Sequence, residues 1–376
     1  HKAGHEVTVI TCAPNFPKGR VYEGYKNKLY QTEWMDGIKV VRVWSYIAAN
    51  KGFLKRTLDY ISYSVTSFLA GLFQKTDIII ATSPQFFTAL SGRPLAFWIR
   101  KPWIMEVRDL WPESIKTVGA MSDNVFIRYF EWEEMRCYRS ARKIVVVTDS
   151  FKRTLTARGV PAEKIEVVKN GANRELFKPM PKDEALAERL GLKGKRVIGY
   201  IGTHGLAHKL DFILQCAKNM QGKNDYHFLF IGAGAEKERL LKMRNTEHID
   251  NVTMLDPVPK TEVWRYISIL DLCLINLKKS PLFTTVIPSK IFENAGMEIP
   301  IIMGVEGEAK DIIDSYGAGL CFEPENEADF NDKLDKLLAD DALYEKCKEG
   351  CRALSNDFDR KVLAAKMLKV IENTVE

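Results

Sequence analysis

The sequence predicts an α/β protein of two domains, each built on a parallel sheet. Three observations carry this reading. The chain has 376 residues, more than one hydrophobic core usually organises. Strand and helix signals alternate through both halves, as in parallel sheets covered on both faces. Several predicted strands end in glycine turns, and strand C-termini are where such sheets hold ligands.

In the first half, runs rich in Val, Ile and Thr place strands at 7–11, 38–44, 77–81, 103–107, 143–148 and 166–168. Helical periodicity falls between them, at 54–74, 86–100, 124–140 and 150–158. The chain opens on His1-Lys2-Ala3-Gly4-His5, which reads as a helix end, and passes at once into a strand. An α/β domain is expected to carry a strand and a turn before such a helix. The passage from Asn170 to Pro181 is rich in proline and charge and reads as an interdomain linker. Strands resume at 196–201, 226–231, 252–254, 271–277, 300–303 and 319–321. An amphipathic last helix at 360–375 needs a surface to dock on. The predicted domains are 1–172 and 173–357, with 358–376 returning to the first.

Charge divides the same way. Through Asn170 there are 26 Lys and Arg against 16 Asp and Glu, and beyond it 29 against 33. A basic half points to an anionic partner, and no basic stripe with interleaved aromatics marks a nucleic-acid binder. Seven scattered cysteines show no zinc spacing and fit a reducing compartment. The helix at 54–74 holds only fifteen uncharged residues between Asp59 and Lys75, short of the ~20 a membrane span needs. With Lys51, Lys55 and Arg56 at its start, it suits either an anionic bilayer surface or ordinary core packing.

Three stretches in the second half converge on one chemistry. Gly199-Tyr200-Ile201-Gly202-Thr203-His204-Gly205 follows a strand and leads through His208 and Lys209 into a helix, where free amides favour phosphate. It lacks the GxGxxG spacing and the acidic partner of a dinucleotide site. Gly232-Ala233-Gly234 ends the next strand and is expected on the same sheet edge. Pro288-Ser289-Lys290 starts a short helix, with Ser289 as expected N-cap and Glu293 one turn on. A lysine there opposes the helix dipole unless an anion binds beside it. A solvated lysine and a first-turn glutamate is the plain alternative. In the first half, Arg108-Asp109-Leu110-Trp111-Pro112 closes a strand with charge. Asp109 there suits either a substrate hydroxyl or an ion pair with Arg108.

Taken together, Gly4-His5-Glu6-Val7-Thr8-Val9, Arg108-Asp109-Leu110-Trp111-Pro112, Asn170-Gly171, the Gly202–Ala207 loop, Pro288-Ser289-Lys290 and Glu293 resemble retaining glycosyltransferases of family 4. The similarity is strongest to the bacterial polysaccharide branch of O-antigen fucosamine and colanic acid transferases. It implies the GT-B fold, two Rossmann-like domains facing across a cleft. It implies a UDP-sugar donor on the C-terminal domain, a polyprenyl-diphosphate-linked saccharide acceptor on the N-terminal one, and a peripheral place on the inner face of the bacterial membrane. The family uses neither metal nor cofactor. Glu293 matches the second Glu of a family motif and would bind the ribose; the first falls at Thr285. Thr203, His204 and His208 stand near the positions of a diphosphate-binding Arg and Lys, Lys209 stands where glycine is usual, and Lys290 would supply positive charge. Val258 matches a segment that contacts the base, and Asp109 and Arg108 would serve the acceptor or a sugar hydroxyl. Two rivals share the double-domain build: a UDP-sugar epimerase and a non-catalytic nucleotide-sugar binder.

Overall fold

The computed structural model describes residues 1–15, 19–47, 53–83, 86–110, 125–222 and 225–375. It divides into two compact units, His1–Val168 with Met367–Glu376, and Lys169–Lys366. Trp111 and Pro112, part of the expected first-domain motif, lie outside the described residues, as does Lys51.

The first unit holds two sheets. Strands β1 (Thr8–Cys12), β2 (Tyr30–Met35) and β3 (Ile38–Val43) form one, in the order β1-β3-β2. Sequence reading missed β2. It pairs antiparallel to β3 and leaves most of its residues in solvent, so it lacks the apolar run that marks a buried strand. The helix α1 (Phe53–Gly71) leads to β4 (Ile79–Ser83), α2 (Phe86–Ile99), β5 (Trp103–Val107), α3 (Val125–Ser140), β6 (Lys143–Val146), α4 (Asp149–Ala157) and β7 (Ile165–Val167). These four strands pair in parallel in sequence order. Thr148 caps α4 by accepting from the Phe151 amide at 3.0 Å, one residue earlier than the sequence alone placed the start. The core beneath this sheet is made by Met105, Ile144, Val146, Tyr138 and Leu155.

The second unit begins earlier than expected. The linker segment is folded into it: Phe177 is buried, and the Ala172 amide donates to the Phe358 carbonyl at 3.1 Å. A large apolar side chain cannot be left in water cheaply, and this one finds a cover under the helix that carries Lys290, where Gly296 abuts its backbone. After α5 (Glu184–Arg189) come β8 (Arg196–Ile201), α6 (Leu210–Asn219), β9 (Tyr226–Ile231), α7 (Lys237–Thr246), β10 (Val252–Leu255), α8 (Val263–Ser268), β11 (Leu272–Asn276), α9 (Lys290–Gly296), β12 (Ile301–Gly304), α10 (Glu308–Tyr316) and β13 (Gly319–Cys321). The six strands form one parallel sheet, β10-β9-β8-β11-β12-β13. Their order reverses between β8 and β11, so the loops after β8 and after β11 open at a switch point of the sheet. Helices α11 (Glu327–Ala339) and α12 (Asp341–Asp357) follow, capped by Asn326 and Asp340. The last helix, α13 (Arg360–Val375), starts in this unit, and its final residues group with the first, where Glu372 meets His5 at 3.2 Å.

One face of the second sheet is sealed by a cluster around Phe228, Phe230, Phe322 and Phe330. Phe330 is fully buried, with its ring 5.0 Å from Phe322. Truncation to alanine leaves a void that the packed neighbours cannot close. Phe330→Ala should destabilise the unit by about 3–5 kcal/mol, read as a lower urea midpoint for the second unit's transition; an unchanged midpoint would show that this cluster does not hold the sheet together.

Candidate active site

The loop after β8 and the loop after β9 interlock. The Gly202 amide donates to the Ile231 carbonyl at 2.8 Å, and the His204 amide to Ala233 at 2.9 Å. Gly232 has φ +152°, and a Cβ there would fall 1.8 Å from the Gly202 oxygen; one on Gly234 would fall 2.2 Å from the His204 oxygen. These glycines are required for one loop to seat on the other, a packing role the sequence alone did not reveal. Lys237, in the first turn of α7, ties the same corner by donating to the Gly232 carbonyl at 3.1 Å and to the Leu255 carbonyl.

Lys290 comes from α9 and lies across Gly202. A Cβ on Gly202, whose φ is +154°, would meet Lys290 Cε at 2.2 Å and Nζ at 2.6 Å. The ammonium donates to Tyr200 Oη at 3.0 Å and sits 4.2 Å from the centre of the same ring. Tyr200 in turn donates to the Thr203 carbonyl at 2.7 Å, so one buried phenol fixes both the cation and the loop. Burial lowers the Lys290 pKa to about 8, only partly offset by Cys273 and Glu293. Among the described residues no carboxylate lies within ion-pair distance of it.

Both histidines are neutral near pH 7. His204 is driven down to about 4 by burial first, then by Lys237 and Lys290; His208 falls to about 4 by burial and by Lys290. The His204 ring packs 5.9 Å from Tyr200 and 6.4 Å from Phe230, wholly buried, with neither ring nitrogen hydrogen-bonded. It forms the floor of the loop, and its ring is neutral there. His208 lies 5.8 Å from Tyr200 and is only half-buried.

Two further expectations change. Ser289 does not cap α9: its own backbone is helical at φ −60°, ψ −23°, its side chain makes no cap bond, and it is exposed. Lys209 turns away, pairing with Asp211 at 3.2 Å, a carboxylate also shared by Arg239. Its φ of +47° explains why glycine suits this position. Glu293 stands one turn beyond Lys290, half-buried. Burial raises its pKa, opposed by Lys260, Arg360 and Lys290. Pro288 precedes this turn, and Val258 packs half-buried at the end of β10 against the cluster that includes Ile231 and Leu255. Thr285 donates to the Leu282 carbonyl at 3.0 Å within a short turn.

Sequence reasoning passed over Tyr200, Lys237 and Asn276. Asn276 is buried at the end of β11 and donates to the His208 and Lys209 carbonyls at 2.9 and 3.3 Å, holding the loop in place. The available signal was a polar residue closing an otherwise apolar strand, and for Lys237 a cation at a helix start like Lys290. In the first unit, Arg108 and Asp109 follow β5. The Arg108 amide donates to the Ser83 carbonyl at 2.8 Å; both residues are exposed, and partial burial of its carboxyl raises the Asp109 pKa.

Two family models match the chain: the "Glycosyl transferase 4-like domain" over residues 1–171 and "Glycosyl transferases group 1" over residues 182–353. Between them they take in nearly all of it. The chain is a GT-B glycosyltransferase of group 1 with a family 4-like N-terminal domain. Among its relatives is an Escherichia coli (strain K12) protein named as a colanic acid biosynthesis glycosyl transferase, WcaI, 24% identical over 344 residues, covering 86% of this chain and 82% of that one. A Bacillus subtilis (strain 168) protein named as a teichuronic acid biosynthesis glycosyltransferase, TuaH, is 27% identical over 203 residues, covering 53% of this chain and 49% of that one. Solved structures of the same fold include sucrose-phosphate synthase from Thermosynechococcus elongatus, with TM-score 0.78 at 14% identity over 99% of this chain and 90% of that one. Anabaena Alr3699/HepE in complex with UDP-glucose follows with TM-score 0.68 at 14% identity, covering 87% and 86%.

The geometry sets a pH dependence with a definite sign. Lys290 titrates near pH 8 in the free protein, below its ordinary 10.5. Affinity for an anion at this site should therefore fall as pH rises through 8, and Lys290→Met should flatten that fall. The unfolded chain binds the lysine proton more tightly than the folded one, so the charged lysine costs stability below pH 8, and the cost fades as pH approaches 10.5. Lys290→Met should then raise the melting temperature of the ligand-free protein at pH 7. A lowered one would mean that the cation is structurally compensated. Tyr200→Phe keeps the ring and removes two hydrogen bonds; at ~1 kcal/mol for each such bond it should lower the melting temperature of the ligand-free protein, with an unchanged one counting against the clamp.

Proposed function

We propose that this glycosyltransferase transfers a sugar from a UDP-sugar to a polyprenyl-diphosphate-linked saccharide with retention at the anomeric carbon, in bacterial surface polysaccharide synthesis. The observation that carries the reading is Lys290, a desolvated cation with no carboxylate partner among the described residues, lying over the glycine loop at the switch point of the second sheet. Such a group is stabilised by an anion, and a diphosphate fits its position beside the loop. Support also comes from the UDP-glucose bound to Alr3699/HepE and from the polysaccharide pathways in the names of WcaI and TuaH. An N-acetylated deoxyhexosamine such as fucosamine is the donor sugar we favour, from the branch resemblance. The enzyme would act at the inner face of the membrane, where such an acceptor resides.

In this reading Glu293 accepts hydrogen bonds from the ribose hydroxyls, and the backbone near Val258 meets the base. During transfer the bond between the anomeric carbon and the diphosphate oxygen breaks. Negative charge grows on the departing diphosphate, where Lys290 stabilises it at no cost in reorganisation. The acceptor oxygen bonds to the same face of the sugar, and its proton passes to the leaving phosphate oxygen. Protein cations supply the charge, so the proposed reaction needs neither metal nor cofactor. Asp109 and Arg108 would orient the acceptor or a sugar hydroxyl.

Glu293→Ala should weaken UDP binding at least tenfold, about 1.4 kcal/mol, by calorimetry; undiminished affinity would remove the ribose role. A thermal-shift screen of nucleotide sugars should show stabilisation by UDP-sugars. An epimer produced from a UDP-sugar alone would establish the epimerase reading in place of transfer. Binding without turnover on any polyprenyl-linked saccharide would establish the non-catalytic one.

A further inference from the structure

The helix α1 has two unlike faces. Its inner face is engaged: Tyr63 Oη donates to the Ile10 carbonyl at 2.9 Å, Ser67 meets Ser91 at 3.3 Å, Ala70 packs on Val41 and Val43, and Gly71 abuts Leu95 of α2. Its outer face carries Leu58, Ile61, Val65 and Leu69, spaced so that all four fall along one stripe, and all four are exposed. Core packing, one of the two fates the sequence left open, accounts for the inner stripe alone.

The stripe runs into an aromatic corner. Phe73 follows α1 and is 83% exposed; Phe97 and Trp98, at the end of α2, are 82% and 70% exposed. The Gly71–Leu95 contact puts these two helix ends side by side. Trp34 joins from β2: it lies across from Lys39, whose ammonium donates at 3.0 Å to Gln74, the residue after Phe73, and it too is 70% exposed. Four largely bare rings at one corner exceed the scattered exposure that a soluble surface shows.

Charge around the patch has one prevailing sign. Lys55 is exposed at the head of the stripe; Lys75 and Arg100 are exposed at its foot, with Lys101 beside them. Between residues 53 and 75 the only carboxylate is Asp59, and it is turned inward to the Ser45 hydroxyl. Asp77 pairs with Lys101 at 3.2 Å, and Asp36 stands on the turn after β2. No helix among the described residues is long and apolar enough to cross a membrane. Apolar stripe, bare aromatic rings and cationic rim together match the interfacial zone of an anionic bilayer, where Trp and Phe sit at headgroup depth and Lys and Arg meet phosphate.

We propose that the outer face of α1, with the corner of Trp34, Phe73, Phe97 and Trp98, lies on an anionic lipid bilayer. The Proposed function puts the enzyme at a membrane; this inference says which surface holds it there, and it rests on the first unit alone. Co-sedimentation of the full chain with phosphatidylcholine vesicles, with and without phosphatidylglycerol, tests it. The wild type should partition to the anionic vesicles and be released by high salt. The triple variant F73S/F97S/W98S should partition at least tenfold less, with UDP thermal shift and circular dichroism unchanged. Lys75→Glu with Arg100→Glu, two surface changes that spare the fold, should also weaken binding to anionic vesicles. Wild-type protein left in solution with both vesicle types, or undiminished binding by these variants, overturns the proposal. So does a dimer by light scattering that the triple variant dissociates, since the face would then belong to a second copy. Failure of the donor reading would appear separately, as no thermal shift with UDP.

Discussion

Everything at the candidate site turns on one lysine held over one glycine. Lys290 reaches its place only because Gly202 has no side chain, and it stays there because the buried Tyr200 offers both a hydroxyl and a ring face. A desolvated ammonium with these partners alone is poorly compensated, since a phenol replaces only part of lost hydration. The site is therefore strained toward an anion before any arrives. That preorganisation is what an enzyme needs where charge develops late, on a departing diphosphate.

The same ammonium governs its neighbours. Together with burial it helps keep His204 and His208 neutral, so neither histidine adds positive charge beside it. It also sets why the second glycine turn exists. The loop after β8 must stand rigid beneath Lys290, and it does so because Gly232 and Gly234 let the next loop close against its carbonyls. Asn276 braces the far end, at His208 and Lys209. Three adjoining strands thus hold one loop, which in turn receives a lysine from a helix that starts much later in the chain.

Much of this was legible in the sequence, for identifiable reasons. Strands β8, β9, β11 and β12 are largely apolar runs closed by glycine or asparagine, and buried parallel strands leave that trace plainly. Lys290 could be found because a cation at a helix start opposes the dipole and asks for an explanation. What escaped was whatever depends on contact across the chain. Tyr200 looks like another strand aromatic until the lysine from residue 290 meets it. His204 looks like a loop cation until Phe230 and Tyr200 close around it. Strand β2 escaped because its pairing with β3, not its own pattern, makes it a strand. Ser289 failed as a cap because the helix starts within it, and a side chain already in helical backbone cannot reach the free amides.

The two units solve opposite problems with the same materials. In the second, a positive charge is drawn out of water, so an anion of fixed shape is favoured over solvent. In the first, positive charges stay in water around an apolar face that has been left bare, which favours an anionic surface without fixed shape. Burial makes the first kind of recognition specific and dependent on pH, because desolvation moves the lysine's titration toward neutrality. Exposure makes the second kind salt-dependent, because Lys55, Lys75 and Arg100 stay in water where ions screen them. The asymmetry of charge along the chain, basic before Asn170 and slightly acidic after it, agrees with the two roles proposed above. In those roles many exposed cations would serve a membrane surface, whereas one half-buried cation would serve a diphosphate.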